Sequence, residues 1–236
     1  MTAIATNAAT AQNLGLAAFL SQIPLFTALS PSELDEIARS ATRKSAAKYH
    51  FVYTTSESSK HIFILLNGSV KVFSPSGFGR EVIKSVIQPG GVFGELCLTG
   101  EPRRTDSAST LKHESSYLAI PIEKLQEIMQ RNFRFSRSVL EFIGNRLRTA
   151  EKQLENLIVK DARTRIVDFL RESANLTGRA IGFETLVKHP FTHQDIAAIT
   201  GTSRQMVTAV MNELKRSNLI HFNRHSFLVR DMVKLA

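Results

Sequence analysis

Between Ile122 and Lys160 the sequence contains one glycine, Gly144, and no proline. Within this stretch Ile143, Leu147, Ala150, Leu154 and Leu157 recur at spacings of four, three, four and three, and Val139 extends the series one turn earlier. That rhythm places apolar side chains along one stripe of an α-helix, which is the seam of a helix pair. Arg146, Arg148, Glu151, Lys152 and Glu155 supply charged flanks. A helix lying on its own domain is the plainer use of such a stripe. The strictness of the seam favours a parallel helix pair joining two subunits, so Val139, Ile143, Leu147, Ala150, Leu154 and Leu157 are the expected dimer interface.

The sequence changes character on either side of this helix. Before it, Ser30-Pro31-Ser32-Glu33 carries a helix start, with Ser30 as cap, Pro31 at the first helical position and Glu33 closing a capping box; the helix runs to about Ser40. From Arg43 to Ile120 short β-branched and aromatic runs follow, at Tyr49–Thr54, His61–Leu66, Val70–Ser74, Glu81–Ile87 and Ser115–Ile120. Turn signals separate them at Asn67-Gly68, Ser76-Gly77 and Pro89-Gly90-Gly91, and the pattern predicts a sandwich or barrel-like roll.

After the helix, Ile166–Glu172 reads as a further helix and Asn175–Arg179 as a turn. A helix capped by Thr192, with Asp195 three residues on, then turns inward with Ile196, Ala197 and Ile199. Thr200-Gly201-Thr202 turns the chain, and Ser203 caps a second helix with Val207, Val210, Met211 and Leu214 on its buried face. Leu219–Phe222, Asn223-Arg224-His225 and Phe227–Arg230 form a small hairpin. Two short helices on a glycine-containing turn, followed by a hairpin, are the parts of a winged helix-turn-helix.

The loop from Phe93 to Thr105 gathers a glycine, a carboxylate, an arginine and a hydroxyl. Glycine lets backbone N–H groups approach an anion, and arginine offers a planar fork for phosphate oxygens. Read alone, the same residues also suit a turn with a surface Glu95–Arg104 ion pair.

A net charge of +9 favours an anionic partner, nucleic acid or an acidic membrane surface. The longest aliphatic run, Ile62–Leu66, is far short of a membrane span, and the Ala- and Thr-rich first residues lack the basic start of a secretory signal. One cysteine, Cys97, excludes an internal disulfide and an iron–sulfur cluster held by this chain, and a reducing cytoplasm fits. His50, His61 and His113 lack metal-ligand spacing, and with no nucleophile–base pair in view neither a metal nor an enzyme is expected.

Taken together, Gly94-Glu95-Leu96, Arg104-Thr105 and Thr202-Ser203-Arg204-Gln205-Met206-Val207, in this order of segments, resemble the CRP/FNR superfamily of bacterial transcription regulators. The resemblance covers nearly the whole chain beyond its first residues. It implies an α+β protein: a flexible tail over 1–18, a cyclic-nucleotide-type β-roll sensor over 19–121, a dimerisation helix over 122–160 and a winged helix-turn-helix over 161–236. It implies a homodimer reading an inverted repeat of double-stranded DNA and working with RNA polymerase in the cytoplasm, with no membrane partner. Gly94, Glu95, Leu96, Arg104 and Thr105 match the family's cyclic-phosphate and ribose positions, with Arg103 an adjacent alternative to Arg104. Arg146 matches an arginine that reaches the cassette glutamate.

Two departures qualify this picture. Where the cyclic-AMP branch uses a Thr-Ser pair on the adenine base, this chain has Ala150 and Glu151. Alanine offers no side-chain hydrogen bond, and ionised Glu151 only accepts. Cyclic AMP is therefore not the expected effector. A weak cyclic-AMP site, a different cyclic nucleotide or similar effector, an effector-independent regulator, and a cyclic-nucleotide module of a protein that does not bind DNA all stay open. On the reading helix, Arg204 keeps a fork for guanine, Gln205 suits adenine, and Ala209 reaches no polar base edge. A half-site different from that of the cyclic-AMP branch follows. Thr192, His193, Ser203, Thr208 and Lys215 complete the expected DNA contacts.

Overall fold

A computed structural model describes residues 15–75, 81–189, 191–223 and 226–235. Residues 1–14 of the expected tail, the Ser76-Gly77 turn and Arg224-His225 lie outside the described residues. Residues 15–20 are already helical, so the expected tail ends sooner than residue 18. The first long-range element is helix α1, Pro31–Ser40. Both halves of its capping box form, with the Glu33 carboxylate accepting the Ser30 N–H at 2.8 Å.

Eight strands follow: β1 (Thr42–Ala46), β2 (Phe51–Tyr53), β3 (His61–Asn67), β4 (Val70–Pro75), β5 (Glu81–Ile87), β6 (Val92–Phe93), β7 (Ser107–Thr110) and β8 (Ser115–Pro121). They form two four-stranded sheets, ordered β1-β8-β3-β6 and β2-β7-β4-β5. The unbroken apolar run in β3 now has a cause. Phe63 and Leu65 point between the sheets with Tyr53, Val72, Phe93 and Tyr117, while Ile62 and Ile64 point outward against Phe26, Leu34, Leu118 and Phe135. A strand buried on both faces shows no alternation. Strands β1 and β7 escaped the sequence reading because they are polar (Thr-Arg-Lys-Ser-Ala and Ser-Ala-Ser-Thr). Although polar, β7 is buried, and its hydroxyls are satisfied: Thr110 donates to the Ala47 carbonyl, and Ser107 accepts the Thr55 N–H at 3.0 Å.

The single helix expected over Ile122–Lys160 is two, α2 (Ile122–Arg131) and α3 (Phe133–Val159). Asn132 makes the break: its side-chain oxygen accepts the Phe135 N–H at 3.0 Å, and its amide nitrogen donates to both Glu33 oxygens at 3.1 Å. The break delivers Phe135 into the core, stacked on Phe26 with centroids 6.0 Å apart.

Asp161 then caps α4 (Ala162–Thr177), longer at both ends than the sequence suggested. The expected Asn175–Arg179 turn is helical up to Thr177. Next come β9 (Arg179–Ile181), β10 (Glu184–Lys188), α5 (His193–Thr200), α6 (Arg204–Arg216), β11 (Ile220–Phe222) and β12 (Ser226–Val229). The C-terminal hairpin is half of a four-stranded sheet ordered β11-β12-β10-β9. Ile166, Leu170, Val187, Ile196, Val207, Val210, Leu214 and Phe227 share one core behind the helix pair. Arg165 ties this unit to the end of α3. It donates to the carbonyls of Lys160 at 2.6 Å, Thr200 at 2.8 Å and Gly201 at 3.1 Å. Helix α5 also packs against β5, so the unit rests on the roll.

Candidate functional site

The loop after β6 is built around a left-handed glycine. Gly94 has φ +71°, and a Cβ there would lie 3.0 Å from both Arg104 Nη1 and Phe63 Cδ2. Its carbonyl accepts a hydrogen bond from Arg104 Nη1 at 2.8 Å, and Arg104 Nη2 donates to the His61 carbonyl. Arg104 is 4% exposed, with its guanidinium carbon 4.4 Å from the Tyr53 ring centroid. Its Nε–H is a buried donor with no partner among the described residues. Arg103 turns the other way and donates to the Ser56 carbonyl at 3.0 Å on the surface. Of the two adjacent arginines, Arg104 is the one inside.

The surface Glu95–Arg104 pair does not form. Glu95 instead meets Arg146 of α3, with 3.1 Å between Oε1 and Nε, while Arg146 Nη2 donates to the Val92 carbonyl at 2.7 Å. Thr105 gives both its N–H (3.0 Å) and its hydroxyl (2.7 Å) to Oε1 of Glu101, a residue the sequence reading passed over. Ser59 donates to Oε2 of the same carboxylate at 2.9 Å. Asp106, buried beside it, accepts from the Tyr53 hydroxyl at 3.1 Å and from Lys84 at 3.2 Å. Burial, with the Asp106 charge next, pushes the Tyr53 phenol far above its ordinary value. Cys97 is buried, its thiol donates to the Gly94 carbonyl at 3.2 Å, and burial pushes it up to about 11. A thiol held protonated in this way is a packing residue and not a nucleophile.

Tyr53, Gly94, Glu95, Glu101, Arg104, Asp106 and Arg146 line one end of a cleft of about 750 Å³ bounded by the roll, α3, α4 and α5; Thr105 and Ser59 are not among its lining residues and join it through their bonds to Glu101. Leu96, Thr149, Ala150, Gln153 and Asn156 form its walls. Glu151 is exposed and does not line the cleft within its own chain, so it adds nothing there beside Ala150. Donors suited to an anion are present on Thr105, Ser59 and Arg104. A carboxylate of the chain already uses Thr105 and Ser59 and lies near Arg104, so an added phosphate does not fit the cradle as it stands. Among the described residues no cluster of metal-ligating side chains occurs.

Helix α3 carries two apolar stripes, and the 4-3 spacing merged them. Val139 is 3% exposed and belongs to the roll's own core, with Ile143 packed against it. Ala150 faces the cleft, and Leu157 abuts Gly201 in the α5–α6 turn. Val139 therefore cannot meet a second subunit. The open stripe is Phe133, Leu140, Leu147 and Leu154, which are 80%, 71%, 60% and 59% exposed and repeat every seven residues. Leu147 and Leu154 were in the expected interface; Phe133 and Leu140 were not.

Helix α6 buries Val207, Val210, Met211 and Leu214 and turns Arg204, Gln205, Ala209 and Asn212 outward. Gln194, Thr202 and Thr208 border the groove along this face. Ile199 does not point into the α5 core as expected; it is half-buried and lines the cleft. Thr192 forms a capping box with Asp195, and Ser203 accepts the Met206 N–H at 3.1 Å. Thr208 donates to the Arg204 carbonyl at 2.9 Å, which leaves its oxygen to accept from Nδ1 of His193 at 3.0 Å. Burial, and then the Arg204 charge, lowers the His193 pKa. The ring thus stays neutral near pH 7 and acts as a brace between α5 and α6. Lys215 stands 5.5 Å from the Phe222 ring centroid on the same side of the unit. Asn212 and Gln194 are the polar groups that the sequence reading missed. Gln194 directly follows His193 at the start of α5, and Asn212 sits one turn past Thr208 on α6, both on exposed faces.

Two family models match this chain: a cyclic nucleotide-binding domain over residues 43–132 and a Crp-like helix-turn-helix domain over residues 164–236. The chain is 25% identical over 217 residues to a CRP-like cAMP-activated global transcriptional regulator of Mycobacterium tuberculosis, covering 92% of this chain and 96% of that one. It is 24% identical to a cyclic AMP receptor protein of Thermus thermophilus, over 90% and 94% of the two chains. Among solved structures it resembles FixK2 from Bradyrhizobium japonicum, with a TM-score of 0.73 at 22% identity over 83% of this chain and 95% of that one. The c-di-GMP responsive regulator CLP of Xanthomonas campestris gives a TM-score of 0.73 at 19% identity, over 85% and 99%. At these identities the structural likeness speaks for the fold.

Proposed function

The chain belongs to the CRP/FNR superfamily of transcription regulators, and from that premise we propose that it works as a homodimer on an inverted DNA repeat. The observation that carries this reading is the open stripe of Phe133, Leu140, Leu147 and Leu154 on α3. A stripe of large apolar side chains repeating every seven residues is the seam that a paired helix covers, and a second copy of α3 supplies the matching stripe. Pairing the two α3 helices sets two α6 helices side by side, as a two-fold operator requires. In each, Arg204 reads guanine through its fork, and Gln205 and Asn212 suit adenine. Ser203, Lys215 and the N-terminus of α6 hold phosphate and fix register. The cleft beneath the Gly94–Thr105 loop is the sensor site. Glu95 and Arg146 join the roll to the dimer helix there, so an occupant shifts the balance between helix-pair geometries. RNA polymerase is the partner through which a regulator of this family acts.

The test combines sedimentation with selection of bound sequences from a random DNA pool. A dimer that enriches one two-fold-symmetric motif, with affinity falling steeply in salt, is expected. A monomer, or binding without sequence preference, overturns the reading.

A further inference from the structure

The sensor cleft carries its own anion. Oε1 of Glu101 takes the N–H and the hydroxyl of Thr105 at 3.0 and 2.7 Å, Oε2 takes the Ser59 hydroxyl at 2.9 Å, and Oε2 lies 3.9 Å from Arg104 Nη1. A main-chain N–H and its own side-chain hydroxyl converging on one oxygen, with an arginine near the second, is the arrangement a phosphate oxygen pair would use. The Glu101 side chain is only 10% exposed, and leaving this cradle means breaking three charge-assisted hydrogen bonds. The 101–105 segment is pinned from behind, since Ser56 N–H donates to the Arg104 carbonyl at 2.9 Å and Arg104 N–H donates to the Glu57 carbonyl at 2.8 Å.

Charge at this end of the cleft is also balanced. Glu95 is paired with Arg146, Asp106 with Lys84, and Glu101 lies against Arg104. Each of these three cations already faces a carboxylate, and a phosphate entering beside Glu101 meets a like charge. Among the described residues, the Arg104 Nε–H is a fully buried side-chain donor without a partner.

We propose that the Glu101 carboxylate is an intramolecular occupant of the anion cradle formed by Thr105, Ser59 and Arg104, and that it makes this sensor excluding toward phosphorylated ligands. The proposal rests on the reading of the cleft as the sensor site. Once Glu101 is removed, the cradle presents the Thr105 and Ser59 donors to a phosphodiester.

The experiment is calorimetric titration of the full-length protein with cyclic AMP as probe, comparing wild type, Glu101→Ala, the near-isosteric Glu101→Gln, and Glu101→Ala combined with Thr105→Ala. Thermal melts accompany each to establish folding. Wild type is expected to give no saturation up to about 1 mM, and the single variants to bind about 10- to 100-fold more tightly. The added Thr105→Ala change should erase the gain. Wild type binding as tightly as the variants overturns the proposal, and so does a gain that survives Thr105→Ala. Folded variants that fail to bind overturn it too. Gel shifts on the same samples test the regulator reading separately, because loss of sequence-selective DNA binding in wild type counts against that reading whatever cyclic AMP does.

Discussion

Replacing Leu140 with alanine should loosen the dimer, while replacing its neighbour Val139 should not. Leu140 is 71% exposed in the single chain and Val139 is 3% exposed. Fully burying a leucine side chain is worth about 1.5–3 kcal/mol, so covering the exposed part of Leu140 contributes about 1–2 kcal/mol per copy. A two-fold interface loses it twice, about 2–4 kcal/mol, which raises the dimer Kd by about 30- to 1000-fold. Val139→Ala removes two buried methyl groups from the roll's own core and should cost about 1–3 kcal/mol of folding stability with little change in Kd. Sedimentation equilibrium over a dilution series gives the Kd, and urea unfolding at a fixed concentration gives the stability. The reasoning is refuted if Val139→Ala weakens association as much as Leu140→Ala, for then the seam lies on the face the roll already covers.

Gly94→Ala forces a Cβ onto a left-handed backbone and into contact with Arg104 and Phe63; a loss of about 1–3 kcal/mol in a denaturant melt is expected. Arg165→Met releases the Lys160, Thr200 and Gly201 carbonyls together. It should lower stability by about 1–3 kcal/mol and loosen the joint between α3 and the helix pair, seen as faster amide exchange at 160–165. Arg204→Ala should cost about 1–3 kcal/mol of discrimination at one base pair, measured by gel shifts on operator variants, while Lys215→Ala weakens all sequences alike. His193 is held below its ordinary 6.5 by burial and by Arg204, so between its native value and 6.5 the unfolded chain binds more protons. Stability therefore rises with pH through that window and falls on acidification below about 6.5. His193→Gln should flatten the part of that slope which His61, lowered chiefly by burial, does not supply.

The elements that were legible in sequence are those whose signals are local. Ser30 and Glu33, Thr192 and Asp195, and Ser203 each cap a helix through neighbours three residues away, and the turns at Asn67-Gly68 and Gly201 follow from backbone freedom. The apolar phase of α6 was equally clear, because only one face of that helix is buried. Strands β1 and β7 were invisible because their residues are polar and their burial depends on partners far along the chain. Asn132 carries no local signal of a break, yet its bonds to Phe135 and to Glu33, distant in sequence, end one helix and start another.

The amino-acid sequence by itself determined the order of parts: a roll, a long helix, a helix pair with a reading face, and a glycine loop carrying two adjacent arginines; the fold alone chose Arg104 as the buried one. Tertiary structure decided which apolar stripe of α3 belongs to the roll and which stands open, since a spacing pattern records that side chains are apolar but not what covers them. It also decided the state of the loop. Nothing in the spacing of Glu101, Thr105 and Ser59 marks them as one site, because Ser59 comes from a turn that only the folding of the roll brings within 2.9 Å of Glu101. Sequence put an anion cradle at Gly94–Thr105, and the fold put a carboxylate in it.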